Sequence, residues 1–559
     1  MIGNLIALFQ LGGTIAFGDL IASRLIRKRH WLFSLGAGMA VISQLGYLIT
    51  LFPTMFWVLE VIAWIMALGG IWIFYLVSRK RINLRFEKPR TFSSWIALFL
   101  SISYLLLAFC PPTQADALHY HWGVPIYLIQ HHQWPPTDLW LHGSLAGIGE
   151  VYILLGLLLH AENLSTLLQA IGIVGFASFL AKEQKRDNSE FLKLFVLSSP
   201  VLLFFVTGPK PQLFPQIMTA MALYLSLKEK RIELSEYVMI LILLSGAAQQ
   251  KLSFILTGGT VGFWASYKVW ITHPRTIFLA LFVGIVFFGP RAWWNWQQAV
   301  EPEIFTLITP LPNDFTSRLH TFREQDWWFP FNLIFPDSFG SISAIIGVQI
   351  LLIIFIKSKD KIWSEVTILT LIAMILTYIF GQSIARSFNE FVLWVSIGLA
   401  LTKFRISFLN QFKIILNLQS VLTLSIALFG LFTLFPGVIS KNLREKTLSK
   451  HAFGYQAINW ANKTLPRNSV TISEFTSVAF FKHMFLPTDR SSLIFKSEKY
   501  NELLLSGTHL LSSSNINPGY LANKKFKLLK SINGLEHSTR NPFNSGSKYS
   551  AYLYKIENE

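Results

Sequence analysis

Charge is scarce in this chain. Only 14% of its 559 residues are Asp, Glu, Lys or Arg, where soluble globular domains carry roughly a quarter. Cysteine is almost absent. Cys110 is the single one, which excludes an intrachain disulfide, a thiolate metal site and a redox pair. Acidic residues are the scarcer sign, 30 against 48 Lys and Arg, a net charge of +18. No repeat of 20–50 residues, no heptad pattern and no low-complexity tract is present. GxxxxGK[ST], GxGxxG after a strand, HExxH and GxSxG are all missing, so nucleotide-driven transport and cytoplasmic nucleotide-sugar chemistry lose ground.

Apolar and aromatic residues take the place of charge. The chain is 52% hydrophobic with 48 Phe and 18 Trp, and its mean hydropathy is +0.46. These values exclude disorder, collagen and coiled coil, and they indicate a polytopic α-helical membrane protein. A pI of 9.7 would suggest nucleic acid in a soluble protein. Here the basic residues sit in short clusters between apolar runs, which is how a membrane protein fixes its orientation. No nucleic-acid partner is expected.

A span needs about 20 mostly apolar residues. The first, 2–22, precedes Arg24, Arg27, Lys28 and Arg29, the reverse of a cleaved signal peptide. It reads as a retained span with its N-terminus outside. Spans at 32–50, 55–77 and 93–110 follow, with the basic run 78–85 inside. Further spans are expected at 191–206, 213–227, 237–250, 252–271, 275–290, 340–356, 363–380, 388–402 and 412–437, giving about 13–15 in all. Basic turns at 228–231, 273–275, 357–361 and 403–413 belong inside, and the segments 111–145, 208–212, 291–338 and 381–387 outside. One conflict stays open. Two full crossings over 145–160 and 164–181 would put the run 182–186 outside, so one of them is a shallow element or the charge rule fails there.

The chain divides into three added spans over 1–90, a membrane core over 91–439 with an outside loop at 111–145, and a polar domain over 440–559. That last part carries 17 Lys or Arg and 8 Asp or Glu. Its strand-length patches at 470–481, 491–495 and 549–556 indicate a mixed α/β unit, with 455–465 helical and 470–474 a strand. It is large enough to fold alone and is expected outside.

Ionisable groups at membrane depth are costly and by default mark function. Asp116 lies six residues past a span end, flanked by His119 and His121, where it is placed to act on an incoming hydroxyl. A helix N-cap over 117–130 is the competing reading. Glu150 opens the next apolar stretch, either as a second acid or as a helix-paired glutamate. Lys210, Lys251, Arg291 and Arg386 all fall near the outer face. Each alone is a snorkelling residue. Together they run against the charge bias and suit a phosphate, which arginine clamps bidentately and lysine meets as a point charge.

Asp116-Ala-Leu-His-Tyr-His121, Gly246-Ala-Ala-Gln-Gln-Lys251, Gly289-Pro-Arg-Ala-Trp-Trp-Asn295 and Arg386-Ser-Phe-Asn-Glu390, with the closing outside domain, resemble the GT-C superfamily of integral-membrane glycosyltransferases. Protein O-mannosyltransferases and lipid A aminoarabinose transferases are among its members. The resemblance covers most of 93–559. It implies a GT-C-like fold and a sugar moved from a polyprenyl-phosphate lipid to an extracytoplasmic lipid, glycan or protein. The protein would be a multi-pass component of the inner or plasma membrane with both termini outside. Asp116, with His119 and Glu150, would carry catalysis, inverting the anomeric carbon. Lys210, Lys251, Arg291 and Arg386 would bind the donor phosphate, and Tyr120, His121 and Glu390 the substrate. A divalent metal is left open, with no residue assigned to it. Two departures stand out. The spans over 2–77 precede the family's first helix. The turn Gly208-Pro-Lys-Pro-Gln-Leu-Phe214 has lysine and glutamine where the family often has an acid. The alternatives are a lipid-linked glycan flippase or transporter, which inverted repeats would favour, and a glycan polymerase or ligase.

Overall fold

The computed structural model describes residues 2–27, 30–79, 89–135, 140, 143, 146–184, 188–229, 231–298, 307, 328–380, 382–406, 409–487, 506–515, 525–538 and 546–557. The patch at 491–495 lies outside them. Most of the described chain is a bundle of apolar helices. Among the described residues, seven helices are long and apolar enough to cross a membrane: α1 Ile2–Leu25, α2 Trp31–Thr50, α3 Trp57–Arg79, α7 Leu164–Glu183, α13 Thr276–Gln298, α14 Lys361–Ile379 and α16 Leu409–Leu434. The bundle also contains α4 Phe92–Ala108, α10 Leu213–Lys228, α11 Leu234–Gln250, α12 Phe254–Trp270 and α15 Ala385–Leu401, each of 16 or 17 residues. The protein is a multi-pass membrane protein. Rows of exposed Trp, Phe and Ile on α3 and α13 are the faces such a bundle turns to lipid.

The first three helices pack through small residues. A Cβ on Gly18 of α1 would come within 1.7 Å of the Ser34 carbonyl of α2. Only glycine admits that approach, the usual device where lipid tails leave no hydrophobic drive between helices. Polar contacts join this unit to the rest. Thr14 meets the Tyr152 hydroxyl at 2.9 Å, and Gln10 donates to the Leu155 carbonyl at 2.9 Å.

Tertiary contacts sort the turns to two ends. At one end, Gly3 lies against His160, Asn163 donates to the Ala108 carbonyl, Arg444 pairs with Glu162, and Gly437 lies on Pro111. At the other, His30, Lys182, Lys228 and Glu236 surround one cavity of about 400 Å³. The turns that carry His30, Lys182 and Lys228 therefore share an end, opposite the 111–135 loop.

The parity conflict resolves through α6, Ile148–Leu158. Its start, Gly147, abuts Gln249 at the C-terminal end of α11, and its far end reaches His160 beside Gly3. Eleven residues rise only about 16 Å. The helix enters and leaves on the same side of the bundle, so α7 is the crossing that carries Lys182 to the basic end.

Two expected spans are corrected. The run 191–206 is broken into α8 Ser189–Leu197 and α9 Val201–Val206 by Pro200, which cannot continue a helix hydrogen-bond ladder. The freed Ser198 carbonyl accepts from Gln419 and Thr423. The run 340–356 is no regular helix but two 3-10 turns, Phe339–Ala344 and Val348–Leu351, then a single helical turn. Gly347, at φ +98°, interrupts it, and Gln419 accepts the Val348 N–H.

The C-terminal part holds α17 Lys441–His451 and α18 Tyr455–Thr464. They pack on a five-stranded mixed sheet of β1 Thr471–Ser473, β2 Phe485–Pro487, β3 His509–Ser512, β4 Lys525–His537 and β5 Ser547–Glu557, in the order β2-β1-β3-β5-β4. The pairs β1–β2 and β1–β3 are parallel, and the others antiparallel. Val478 meets Gly123 and Phe485 meets Trp140, seating the sheet unit on the 111–135 loop.

Candidate active site

Asp116 lies at the start of one π-helical turn, Ala117–His121, which continues into α5 Gly123–His131. Its carboxylate caps neither element, so the N-cap reading fails. It meets Lys210 at 2.8 Å, and the Arg386 guanidinium stands 3.9 Å away. Lys210 is fully buried, and Asp116 and Arg386 are half-exposed.

The lysine is placed by its turn. Lys210 N–H bonds to the Gly208 carbonyl and Gln212 N–H to the Lys210 carbonyl, two successive three-residue turns. Gln169 clamps both sides, donating to the Gly208 carbonyl and accepting the Leu213 N–H. Gln114 donates to the Phe204 carbonyl and to Thr207. The Lys210 ammonium sits 4.0 Å from the Phe204 ring centre, a cation–π contact. Arg386, in the first turn of α15, is held through its carbonyl, which accepts from Gln216. Gln216 in turn accepts from Asn389.

Glu150 occupies the first turn of α6. Its Oε2 accepts the Gly147 N–H at 2.7 Å, and its Oε1 lies 2.7 Å from His121 Nδ1. Both side chains are buried. A Cβ on Gly147 would meet Gln249 O at 2.2 Å and Arg291 Nη1 at 2.8 Å, so glycine is what lets Arg291 close on this corner. Arg291 lies one residue past Pro290, whose ring leaves the Val286 carbonyl without its helical partner. Gln44 of α2 donates to that carbonyl and to Phe287 O.

Lys251 ends α11. Its backbone N–H returns to Ala247 O, and among the described residues its ammonium has no hydrogen bond or ion pair. Arg386, Lys210, Glu150 and Asp116 are its charged neighbours. Four cations thus share the site with two carboxylates. A cavity of about 290 Å³ opens against Phe204 and Arg386, with Asn332, Asp337, Ser341 and Ile345 on its other walls.

Burial alone would raise the Asp116 carboxyl. Lys210, Arg386 and His121 more than offset that and hold it at about 2. Burial, with Lys210 and Lys251 close by, keeps His121 well below its ordinary value, so the ring is neutral. The Tyr120 ring lies tilted by 45° beside His121, with ring centres 4.1 Å apart.

Asp116, Lys210, Lys251, Arg386, His121, Glu150 and Arg291 form one cluster, with Tyr120 at its edge. Two expected members lie elsewhere. His119 turns to the Trp140 ring. Glu390 is buried one helical turn below Arg386 and accepts from Thr219. Among the described residues, no three His, Cys, Asp or Glu gather to hold a metal. Sequence reading passed over Gln114, Gln169, Gln216 and Phe204. The glutamines carried a signal, as uncharged polar side chains inside apolar runs, which also need partners at membrane depth.

No curated protein matches the chain. Among solved structures, it is similar to ArnT from Cupriavidus metallidurans bound to undecaprenyl phosphate. That similarity has 10% identity and a TM-score of 0.43, covering 83% of this chain and 98% of that one. Against the apo form of the same protein the values are 10% and 0.32, with 82% and 97% covered. The family model described as the DUF1420 N-terminal domain matches residues 73–448. That is more than half of the sequence, and the chain belongs to the DUF1420 family.

Proposed function

We propose that the protein is a GT-C-type glycosyltransferase that moves a sugar from a polyprenyl-phosphate lipid to an acceptor outside the cytoplasm. The observation that carries this reading is the surplus of positive charge in a site enclosed by apolar helices. Among the described residues, Lys210, Lys251, Arg291 and Arg386 outnumber the carboxylates beside them, Asp116 and Glu150, by two. A local excess of positive charge beside apolar helices is costly, and an anionic ligand offsets it. A lipid phosphate satisfies both the charge and the apolar surroundings.

In this reading the site end of the bundle faces the extracytoplasmic side, with both termini and the 440–559 domain there, and the basic turns face the cytoplasm. Arg386 and Lys251 take the phosphate and stabilise it as it leaves with the electron pair of the C1–O bond. Lys210 and Asp116 hold the array in register. Direct displacement from the opposite face inverts the anomeric carbon.

The test is transfer by the purified protein in lipid nanodiscs, given labelled lipid-linked sugars extracted from membranes of cells that make it. Wild type moves label out of the polyprenyl fraction, while Asp116→Asn and Arg386→Ala do not. Translocation of the intact lipid across a vesicle, without loss of its sugar, would replace this reading with that of a flippase.

A further inference from the structure

The Lys210 pairing raises a chemical problem. Asp116 Oδ2 is already occupied by the Lys210 ammonium, with the Arg386 guanidinium 3.9 Å away. A general base needs a lone pair free to reach the acceptor hydroxyl. Resting on the function proposed above, we infer that His121 Nε2, oriented by Glu150, is the base that takes the acceptor's proton, and that Asp116 is a positioning residue.

The geometry is a carboxylate–imidazole dyad. Glu150 accepts the Gly147 N–H on one oxygen and meets His121 Nδ1 at 2.7 Å with the other. It lies in the first turn of a helix, where the dipole favours a negative charge, and Arg291 and Lys251 are among its charged neighbours. Burial raises the Glu150 carboxyl to about 7; in its ionised form it only accepts, which leaves the proton on Nδ1 and the lone pair on Nε2. Among the described residues Nε2 has no hydrogen-bond partner. The ring is the last residue of the π turn that Asp116 begins. Its charged neighbours, besides Glu150, are Lys210, Lys251, Asp116 and Arg386. His119, the other imidazole of the motif, faces Trp140 and is not placed for this role.

The surroundings time the step. Burial opposes a positive imidazole, and so do the cations. Bound donor phosphate offsets them, and the imidazolium then gains from both Glu150 and the leaving phosphate. The acceptor oxygen forms its bond to C1 as the bond from C1 to the phosphate oxygen breaks. The electron pair leaves with the phosphate, and the hydroxyl proton moves to Nε2. It passes from there to water, restoring the neutral ring.

Two measurements test this. Native mass spectrometry with undecaprenyl phosphate reads donor-lipid binding, and the nanodisc transfer assay reads rate. His121→Ala should bind the lipid phosphate within about threefold of wild type and lose at least about a hundredfold in transfer, the usual size of an acid–base contribution. Free imidazole should restore the Ala variant roughly tenfold or more, which a structural role would not allow. Glu150→Gln, whose amide donates to Nδ1 and moves the ring proton to Nε2, should lose a similar factor and gain nothing from imidazole. Asp116→Asn should weaken lipid binding as well as rate. Transfer by His121→Ala near the wild-type rate, or a loss that imidazole leaves unchanged while lipid binding persists, overturns the assignment. Failure of wild type to bind undecaprenyl phosphate removes the donor reading itself, and the base with it.

Discussion

The Asp116–Lys210 pair is asymmetric, and the asymmetry makes predictions. Lys210 is fully buried and Asp116 half-exposed. Asp116→Asn leaves a buried ammonium without its counter-charge, whereas Lys210→Met removes the charge and leaves a carboxylate that water reaches. Breaking one side of a buried pair costs on the order of 3 kcal/mol. Asp116→Asn should therefore lower the thermal midpoint in detergent more than Lys210→Met, and the double variant should recover most of the loss. The pH dependence follows from the depressed carboxyl. Its folded value, about 2, lies below the ordinary 3.8. The stabilisation is full above about pH 4 and is lost as pH falls from there toward 2. Thermal midpoints of Asp116→Asn and wild type should converge over that window. Lys251 behaves differently, since among the described residues it has no partner to strand. Lys251→Ala should leave stability unchanged and weaken undecaprenyl phosphate binding roughly tenfold or more, the scale of a charge-assisted hydrogen bond.

At the scale of elements, α6 and the 208–212 turn carry the site. Gly147→Ala drives a Cβ into Gln249 O and Arg291. It should displace the start of α6, loosen the Glu150–His121 contact and reduce transfer at least tenfold, while Gly284→Ala, which meets nothing within 4 Å, serves as the silent control. Hydropathy made most spans legible, because twenty apolar residues have few other fates. It could not tell α6 from a crossing, since its eleven residues sit in a longer, mostly apolar stretch and only contacts to Gln249 and Gly3 show that it turns back. Nor could it see the break in 191–206, where Pro200 was visible but Gln419 and Thr423, which make the break tolerable, lie more than 200 residues on. The site was legible as residue types: cations at span ends and an acid in an aromatic loop. Their pairing was not, because Asp116 and Lys210 are 94 residues apart and meet only through the packing of α7 against the turn. The position of Glu390 at a span start said nothing of which way the helix faced. It faces Thr219.

For the whole molecule, the account requires one sidedness. Cys110 is buried and replaceable by alanine, which leaves a background for single-cysteine labelling. Lys463→Cys on α18 and Lys403→Cys at the opposite end should differ in intact cells. A membrane-impermeant maleimide should label the first and reach the second only after lysis. The reverse pattern would place the cation-rich site in the cytoplasm and exclude an extracytoplasmic acceptor.

The central claim is that a lipid phosphate occupies the cluster around Asp116, and the most direct measurement is a cryo-electron microscopy map of the protein in nanodiscs supplied with undecaprenyl phosphate. The account predicts phosphate density within about 3 Å of the Lys251 ammonium and the Arg386 guanidinium, with its polyprenyl tail leaving between apolar helices and Asp116 still on Lys210. A map with lipid phosphate bound elsewhere, and Lys251 and Arg386 facing only water, would contradict it.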